Sequence, residues 1–296
     1  MRSRVHGRAV PVERAEDVAA SNLFGGRPLE VTVNRYAALA HEPEPVELGP
    51  DGPKMWSNNL VALYETDAEL VAAVLPRPLE PTEPLVRVNM ARVDLPNMAE
   101  PLQAGTFSVA CRHGDVHGFY DLLMLMSTEG AVVGGRETYG EPKKIGRISL
   151  ERRGGGVGAE IVGVMRRNGV DLVEIRGTVA EVLEPGPVAE RFAFYYKFLL
   201  DPQGGGFDHD PTFVHVRRTQ EDRLVERVEG SITLRDSAVD PVADLPVRRV
   251  VSILFTENHQ TQTGTIVGTV PGEWLWPFRH QRYDGLMARL APATTG

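Results

Sequence analysis

The chain has 296 residues, 42% of them apolar, with 40 acidic against 32 basic side chains and a net charge of -8, so it can bury one large core or two small ones. That acidic balance, with no long basic run, excludes the electrostatic footprint of a nucleic-acid or anionic-membrane binder and points to small-molecule chemistry. A single cysteine, Cys111, excludes an internal disulfide and a cysteine-rich zinc site, and fits a reducing cytoplasm.

In chain order, residues 1–54 are rich in Arg, Glu, Pro and Gly and show little periodicity beyond a short helix near Ala15 to Leu23. They read as an extension to a domain spanning 55–296. The first residues lack the apolar stretch of about 7 to 15 residues that an export signal needs. No window approaches the roughly 18 uncharged apolar residues that span a bilayer.

From Leu60 the texture changes. "NNLVALYE" predicts a strand, and "TDAELVAAVLP" a helix capped by Thr66 or Asp67 and stopped by Pro76 and Pro78. "PLVRVNMARVDL" alternates apolar and polar residues, the period of a half-buried strand. Further strands are predicted at "GTFSVACRH", "GAVVGG", "RISLERR", "GAEIVGVMRR", "VDLVEIRGTVAEVL", "TFVHVRRTQEDRLVERVEGSITL" and "VRRVVSILFTENHQTQTGTIVGTV". Helices are expected over Pro187 to Leu199 and after Pro277. The glycine runs at 154–156 and 204–206 lack the Lys-Ser/Thr of a phosphate loop and read as hairpin turns. Many short strands with few helices predict a mainly β (α+β) fold, an antiparallel barrel or cone with a few covering helices.

One stretch carries chemistry. "GRETYGEPKKIG", residues 135–146, places Lys143 and Lys144 side by side after Pro142. A lysine near its ordinary pKa of about 10.4 is protonated and cannot attack a carbonyl. It becomes a nucleophile when desolvation or a nearby cation disfavours the charge. Upstream "FYDLLMLM" and "AVVGG" offer apolar lining, and glycines allow close approach. On a strand, neighbouring side chains face opposite ways, so one lysine enters a pocket and the other acts at a distance or holds a partner.

The same stretch resembles the active-site segment of the acetoacetate decarboxylase superfamily, in which Gly-Arg-Glu, four residues and Pro-Lys-Lys carry a Schiff-base lysine. "YETDAELVAAVLPRPLEPTEPLVRVNMA" and "DLPVRRVVS" resemble further family segments, so the likeness covers roughly residues 57 to 285. The resemblance implies that Lys143 forms the imine and that Lys144 assists. It also implies a homo-oligomer and no metal or organic cofactor. The family's carboxylate-handling arginine falls on Ser57, with Asn58 beside it. One pocket glutamate falls on Asn89, and another position leaves Glu100 or Gln103 as candidates. Glu141 stands where the decarboxylases have an aromatic residue, and supplies a general acid or base.

These exchanges remove the groups best suited to gripping and expelling a carboxylate. The expected function is therefore a Schiff-base lyase acting on a pyruvate-like 2-oxo acid in natural-product metabolism, by aldol condensation, dehydration or cyclisation. The alternatives are decarboxylation of a β-keto acid such as acetoacetate, and a non-catalytic binding module. Lys143, Lys144 and Glu141 form the expected catalytic set; Ser57, Asn89, Gln103, Tyr120 and Arg136 the substrate-contact set. His117, Tyr139, His215 and Tyr283 read as packed or surface residues. Asp208, His209 and Asp210 read as a solvated turn, and Trp274 and Trp276, alternating around Leu275, as core or subunit-packing residues, on one face of a strand or at a cavity mouth.

Overall fold

The computed structural model describes residues 54–94 and 100–284. The extension expected at the start of the chain, and its short helix, lie outside the described residues, Lys54 apart.

β1 (Ser57–Glu65), β2 (Glu80–Val93), β3 (Leu102–His113) and β4 (Val116–Met126) run as an antiparallel meander, with α1 (Ala68–Ala73) between the first two. After α2 (Glu129–Tyr139) and the three-residue β5 (Lys143–Ile145) come β6 (Arg147–Arg153), β7 (Glu160–Arg167), β8 (Val170–Leu183), β9 (Ala189–Lys197), β10 (Thr212–Leu234) and β11 (Arg249–Thr269). Two one-turn helices follow, α3 (Gly272–Leu275) and α4 (His280–Tyr283). Strand order β11-β1-β2-β3-β4-β9-β10, with β10 pairing back to β11, closes a barrel of seven strands. Its seam is the parallel β4–β9 pairing, Gly118 opposite Phe192, Phe119 opposite Ala193 and Tyr120 opposite Phe194. From Val225 β10 also pairs with β8, which leads to β7 and β6, and beyond Arg227 it no longer pairs with β11.

The period of two sets what faces where. On β2, Val86, Val88 and Met90 are fully buried in the main apolar core, while Arg87, Asn89 and Ala91 line a cavity inside the barrel. The hydrophobic core thus lies outside the lumen, between the barrel wall and the β6–β8 layer. Met165 of β7 closes on Gly105 of β3, and Met90 and Leu60 close on Gly163. The lumen mixes polar side chains with apolar ones such as Val93, Leu102, Phe119, Met124 and Phe192.

Two expected elements change type. "GAVVGG" lies in helix α2, not in a strand: Thr128 Oγ1 accepts from the Ala131 amide at 3.4 Å, and Gly140, at φ 81°, ends the helix with its N–H on the Arg136 carbonyl. Those ends override the strand preference of Val132 and Val133. The helix expected over Pro187 to Leu199 is strand β9 instead; its aromatic run Phe192 to Tyr196 pairs with β10 and β4. Trp274 and Trp276 likewise sit in α3 and the helical turn that follows it. Asp67 stands at the N-cap of α1, but its carboxylate pairs with Arg248 (2.7 Å) and makes no cap bond. The glycine runs form turns between β6 and β7 and between β9 and β10, and Cys111 is buried in the core.

The seam makes a stability prediction. A Cβ on Gly118 would lie 2.4 Å from the Phe192 carbonyl oxygen, a backbone atom, whereas one on Gly134 in α2 meets nothing within 4 Å. Gly118→Ala is expected to lower unfolding stability by about 1–3 kcal/mol, and Gly134→Ala to raise it by about 0.5–1 kcal/mol, both read from urea midpoints at matched protein concentration. Equal effects of the two would contradict the seam.

Candidate active site

The segment from α2 into β5 is built to deliver two side chains into the lumen. Gly140 turns the chain out of the helix, and the Lys143 amide donates to the Glu141 carbonyl at 2.7 Å across Pro142. The tight turn sets Glu141 and Lys143 side by side. β5 then adds in parallel to β4, Met124 opposite Lys143 and Leu125 opposite Lys144. Met124 lines the lumen and Leu125 the core, so the two lysines part company.

Lys143 and Glu141 line a cavity of about 550 Å³ inside the barrel. Lys143 Nζ lies 2.7 Å from Glu141 Oε2, with the lysine side chain 13% exposed and the glutamate 1%. Arg218 donates to Glu141 Oε1 at 3.1 Å and to the Tyr195 hydroxyl oxygen at 2.8 Å; Tyr195 in turn donates to Asp121. The ion pair of Lys143 with Glu141 is thus backed by hydrogen bonds that run from Glu141 through Arg218 and Tyr195 to Asp121. Burial raises the Asp121 carboxyl above its usual range, against the pull of the Arg218 cation and the Tyr195 hydrogen bond. Burial likewise disfavours charge on Arg218, but Tyr195, Asp121 and Glu141 outweigh it and raise its pKa.

Lys144 points the other way. Its Nζ pairs with Asp240 (2.9 Å) and Asp284 (2.6 Å), and Arg167 completes a square of two cations and two carboxylates. Arg167 Nε also donates to the Ile145 carbonyl at 3.2 Å. The charge of Lys144 is balanced locally, and the cluster fastens β5 from behind.

The remaining expected residues divide. Ser57 and Asn89 line the lumen. Ser57 belongs to a neutral amide network in which its hydroxyl donates to Asn258 and accepts from Asn59 Nδ2 at 2.9 Å. Gln103 is not among the cavity-lining residues, although its neighbours Leu102 and Ala104 are; its backbone is tied to Ser127. Glu100 is exposed. Tyr120 is turned from the lumen and donates to Gln281 at 2.7 Å, and the Arg136 guanidinium lies 5.2 Å from the Tyr283 ring centre. Both lie away from Lys143, because β4 alternates and α2 presents Gly135 inward.

Sequence reading passed over Arg87, Asp121, Arg191, Tyr195 and Arg218, all of them cavity-lining or joined to Glu141. One signal was available: Arg87 stands between the core residues Val86 and Val88 in an otherwise alternating strand. Burial, with the Arg191 cation nearby, pushes the Arg87 guanidinium down to about 9, which leaves it charged at neutral pH. Among the described residues, no group of three or more His, Cys, Asp or Glu side chains could hold a metal ion. Nor is any described helix long and apolar enough to cross a membrane.

Comparison with known proteins places this geometry. The family model described as acetoacetate decarboxylase matches residues 39–269. An acetoacetate decarboxylase of Chromobacterium violaceum is 28% identical over 233 residues, covering 74% of this chain and 89% of that protein. A CLA biosynthesis isomerase of Lactiplantibacillus plantarum is 28% identical over 204 residues, covering 62% and 71%. Among solved structures, the enduracididine biosynthesis enzyme MppR complexed with pyruvate superposes with a TM-score of 0.61 at 18% identity, covering 76% of this chain and 94% of that one.

Gly135 governs the approach to the lysine. A Cβ there would lie 2.2 Å from Glu141 Oε2 and 2.5 Å from Lys143 Nζ. Gly135→Ala is expected to slow modification of Lys143 by carbonyl reagents on the order of 10²-fold through misplacement of the pair, with the unfolding midpoint close to wild type. Unchanged reactivity would contradict the geometry.

Proposed function

Since the chain belongs to the acetoacetate decarboxylase family, whose members are enzymes, we propose that Lys143 condenses with the carbonyl group of a small 2-oxo acid and that the reaction proceeds through the resulting iminium and enamine. The observation that carries this reading is the 2.7 Å contact between Lys143 Nζ and a carboxylate 1% exposed, inside a cavity large enough for such a substrate.

Glu141 accepts a proton from the ammonium, and the freed nitrogen lone pair forms a bond to the carbonyl carbon. The former carbonyl oxygen takes one proton from the attacking nitrogen and one back from Glu141 and leaves as water, giving the iminium and restoring the Glu141 carboxylate. Glu141 then removes a proton from the neighbouring carbon. The C–H electron pair becomes the enamine double bond, and the C=N pair returns to nitrogen. The enamine carbon attacks an aldehyde, and Glu141 returns its proton to the new alkoxide. Glu141 takes a second proton from the same carbon and delivers it to that hydroxyl group, which leaves as water as the new C=C bond forms, and addition of water to the iminium releases product and restores Lys143. Arg218, bonded to the far oxygen of Glu141, holds the carboxylate in place through these transfers.

Ser57 and Asn89 support addition chemistry over decarboxylation, since both line the lumen at positions where the family resemblance puts a charged group. Proton removal and return on one substrate also suits the relative named as an isomerase. Lys144 belongs to this reading as a positioning residue, held by Asp240 and Asp284 behind β5. A second reading, decarboxylation of a β-keto acid, is favoured by the name of the Chromobacterium relative; there the C–C electron pair would flow into the same iminium as carbon dioxide departs. Cytoplasmic residence and homo-oligomeric assembly belong to the same proposal.

Borohydride reduction in the presence of pyruvate is expected to add the reduced pyruvyl mass to Lys143, located by peptide mass spectrometry, and to add nothing in Lys143→Ala. Absence of an adduct with pyruvate and acetoacetate alike would overturn the imine reading. Carbon dioxide release from acetoacetate would decide for decarboxylation.

A further inference from the structure

The lumen holds more positive charge than it neutralises. Four cations line it, Lys143, Arg87, Arg191 and Arg218, against two carboxylates, Glu141 and Asp121. The excess is local, since the chain as a whole is acidic at -8. Lys143 and Arg218 share Glu141. Arg87 and Arg191 have no ion pair or side-chain hydrogen bond among the described residues, and Arg87 Nε is buried with no partner. Asp121 attracts Arg87 and Asp222 attracts Arg191 without a direct pair, and a half-buried cation with no direct partner favours an anion beside it.

Two further buried polar atoms lack partners at the same place. Asn89 Oδ1 and Thr106 Oγ1 both line the cavity and accept no hydrogen bond. The strand register puts them level with the nucleophile: Asn89 is opposite Thr106, Thr106 opposite Met124, and Met124 opposite Lys143. Arg87 lies two residues further along β2, opposite Ser108, a step of about 7 Å along the strand. A guanidinium reaches back across that step, and its planar fork matches a carboxylate with two parallel hydrogen bonds.

We propose that Arg87 is the residue that binds the substrate's carboxylate, and that Asn89 and Thr106 bind a hydroxyl group of the same molecule, so that the enzyme takes a hydroxylated oxo acid or forms one by addition. The assignment deepens the imine reading and rests on it for the position of the carbonyl group. A hydroxyl group both donates and accepts, so it satisfies Asn89 whichever way the amide is turned. Ser57, where the family resemblance puts an arginine, is committed to neutral partners. The positive charge therefore comes from Arg87 on β2, opposite Leu63 of β1.

The test uses the full chain and two probes. Lactate has the carboxylate and hydroxyl group but no carbonyl to form an imine, so calorimetry with lactate reads the subsite alone. Wild type is expected to bind lactate, Arg87→Gln to bind it about tenfold or more weakly, and Arg87→Lys to fall between, since lysine keeps the charge but loses the fork. Thr106→Val is expected to weaken lactate more than propionate, which lacks the hydroxyl group. Borohydride trapping of pyruvate at Lys143 is measured in parallel, with melting curves to establish that each variant is folded. Failure of wild type to bind lactate, or equal binding by folded Arg87→Gln, overturns the assignment even where pyruvate is trapped. Lactate binding without pyruvate trapping instead overturns the imine chemistry and leaves the anion subsite standing.

Discussion

A carboxylate almost wholly withdrawn from water, Glu141, stands between the ammonium of Lys143 and the guanidinium of Arg218, and the rest of the barrel is arranged around that contact. A buried charge is tolerated only when its neighbours compensate it. Here one oxygen faces Lys143 and the other faces a chain of hydrogen bonds that ends on Asp121. Removing either partner would leave the carboxylate with half of its compensation. The pair that faces the cavity is thus also part of the balance of buried charge.

The barrel makes room for this by reversing the usual sides. Its strands turn most of their large apolar residues outward, into a core shared with the β6–β8 layer, and turn charged residues such as Arg87, Asp121 and Arg218 into the lumen. The placement of Lys143 is fixed from behind. β5 is three residues long and pairs with β4 alone, so its hold on the barrel by backbone bonds is slight. Lys144 and Arg167, sharing Asp240 and Asp284, fasten its outer face, and Gly135 lets α2 close against its inner one. Adjacent lysines with opposite directions perform separate tasks, one facing the cavity and one anchoring the strand.

Much of this was legible in the sequence, for reasons that differ by residue. Strand alternation in "PLVRVNMARV" and the turn residues around it specify β2 locally, and the Pro-Lys-Lys segment with its glycines marks Lys143 before any fold is known. α2 was illegible because Val132, Val133 and flanking glycines have weak helix preference, and the ends at Thr128 and Gly140 decide the matter. The aromatic run of β9 was misread because its partners are β10, later in the chain, and β4, far earlier. Arg87, Asp121, Tyr195 and Arg218 lie on four different strands, and barrel closure alone brings them to one lumen. Their sequence neighbours carry no trace of that meeting, except for the charge set between Val86 and Val88.

The central claim, that the buried Glu141 moves the substrate's proton beside a lysine-bound carbon, is tested most directly by deuterium exchange at the methyl group of pyruvate in D₂O, followed by proton NMR. The account predicts that wild type exchanges the methyl protons and that Glu141→Gln, shown folded by its melting curve, forms the borohydride adduct at Lys143 only slowly and, even once the adduct forms, does not exchange them. Exchange by Glu141→Gln at the wild-type rate would contradict it.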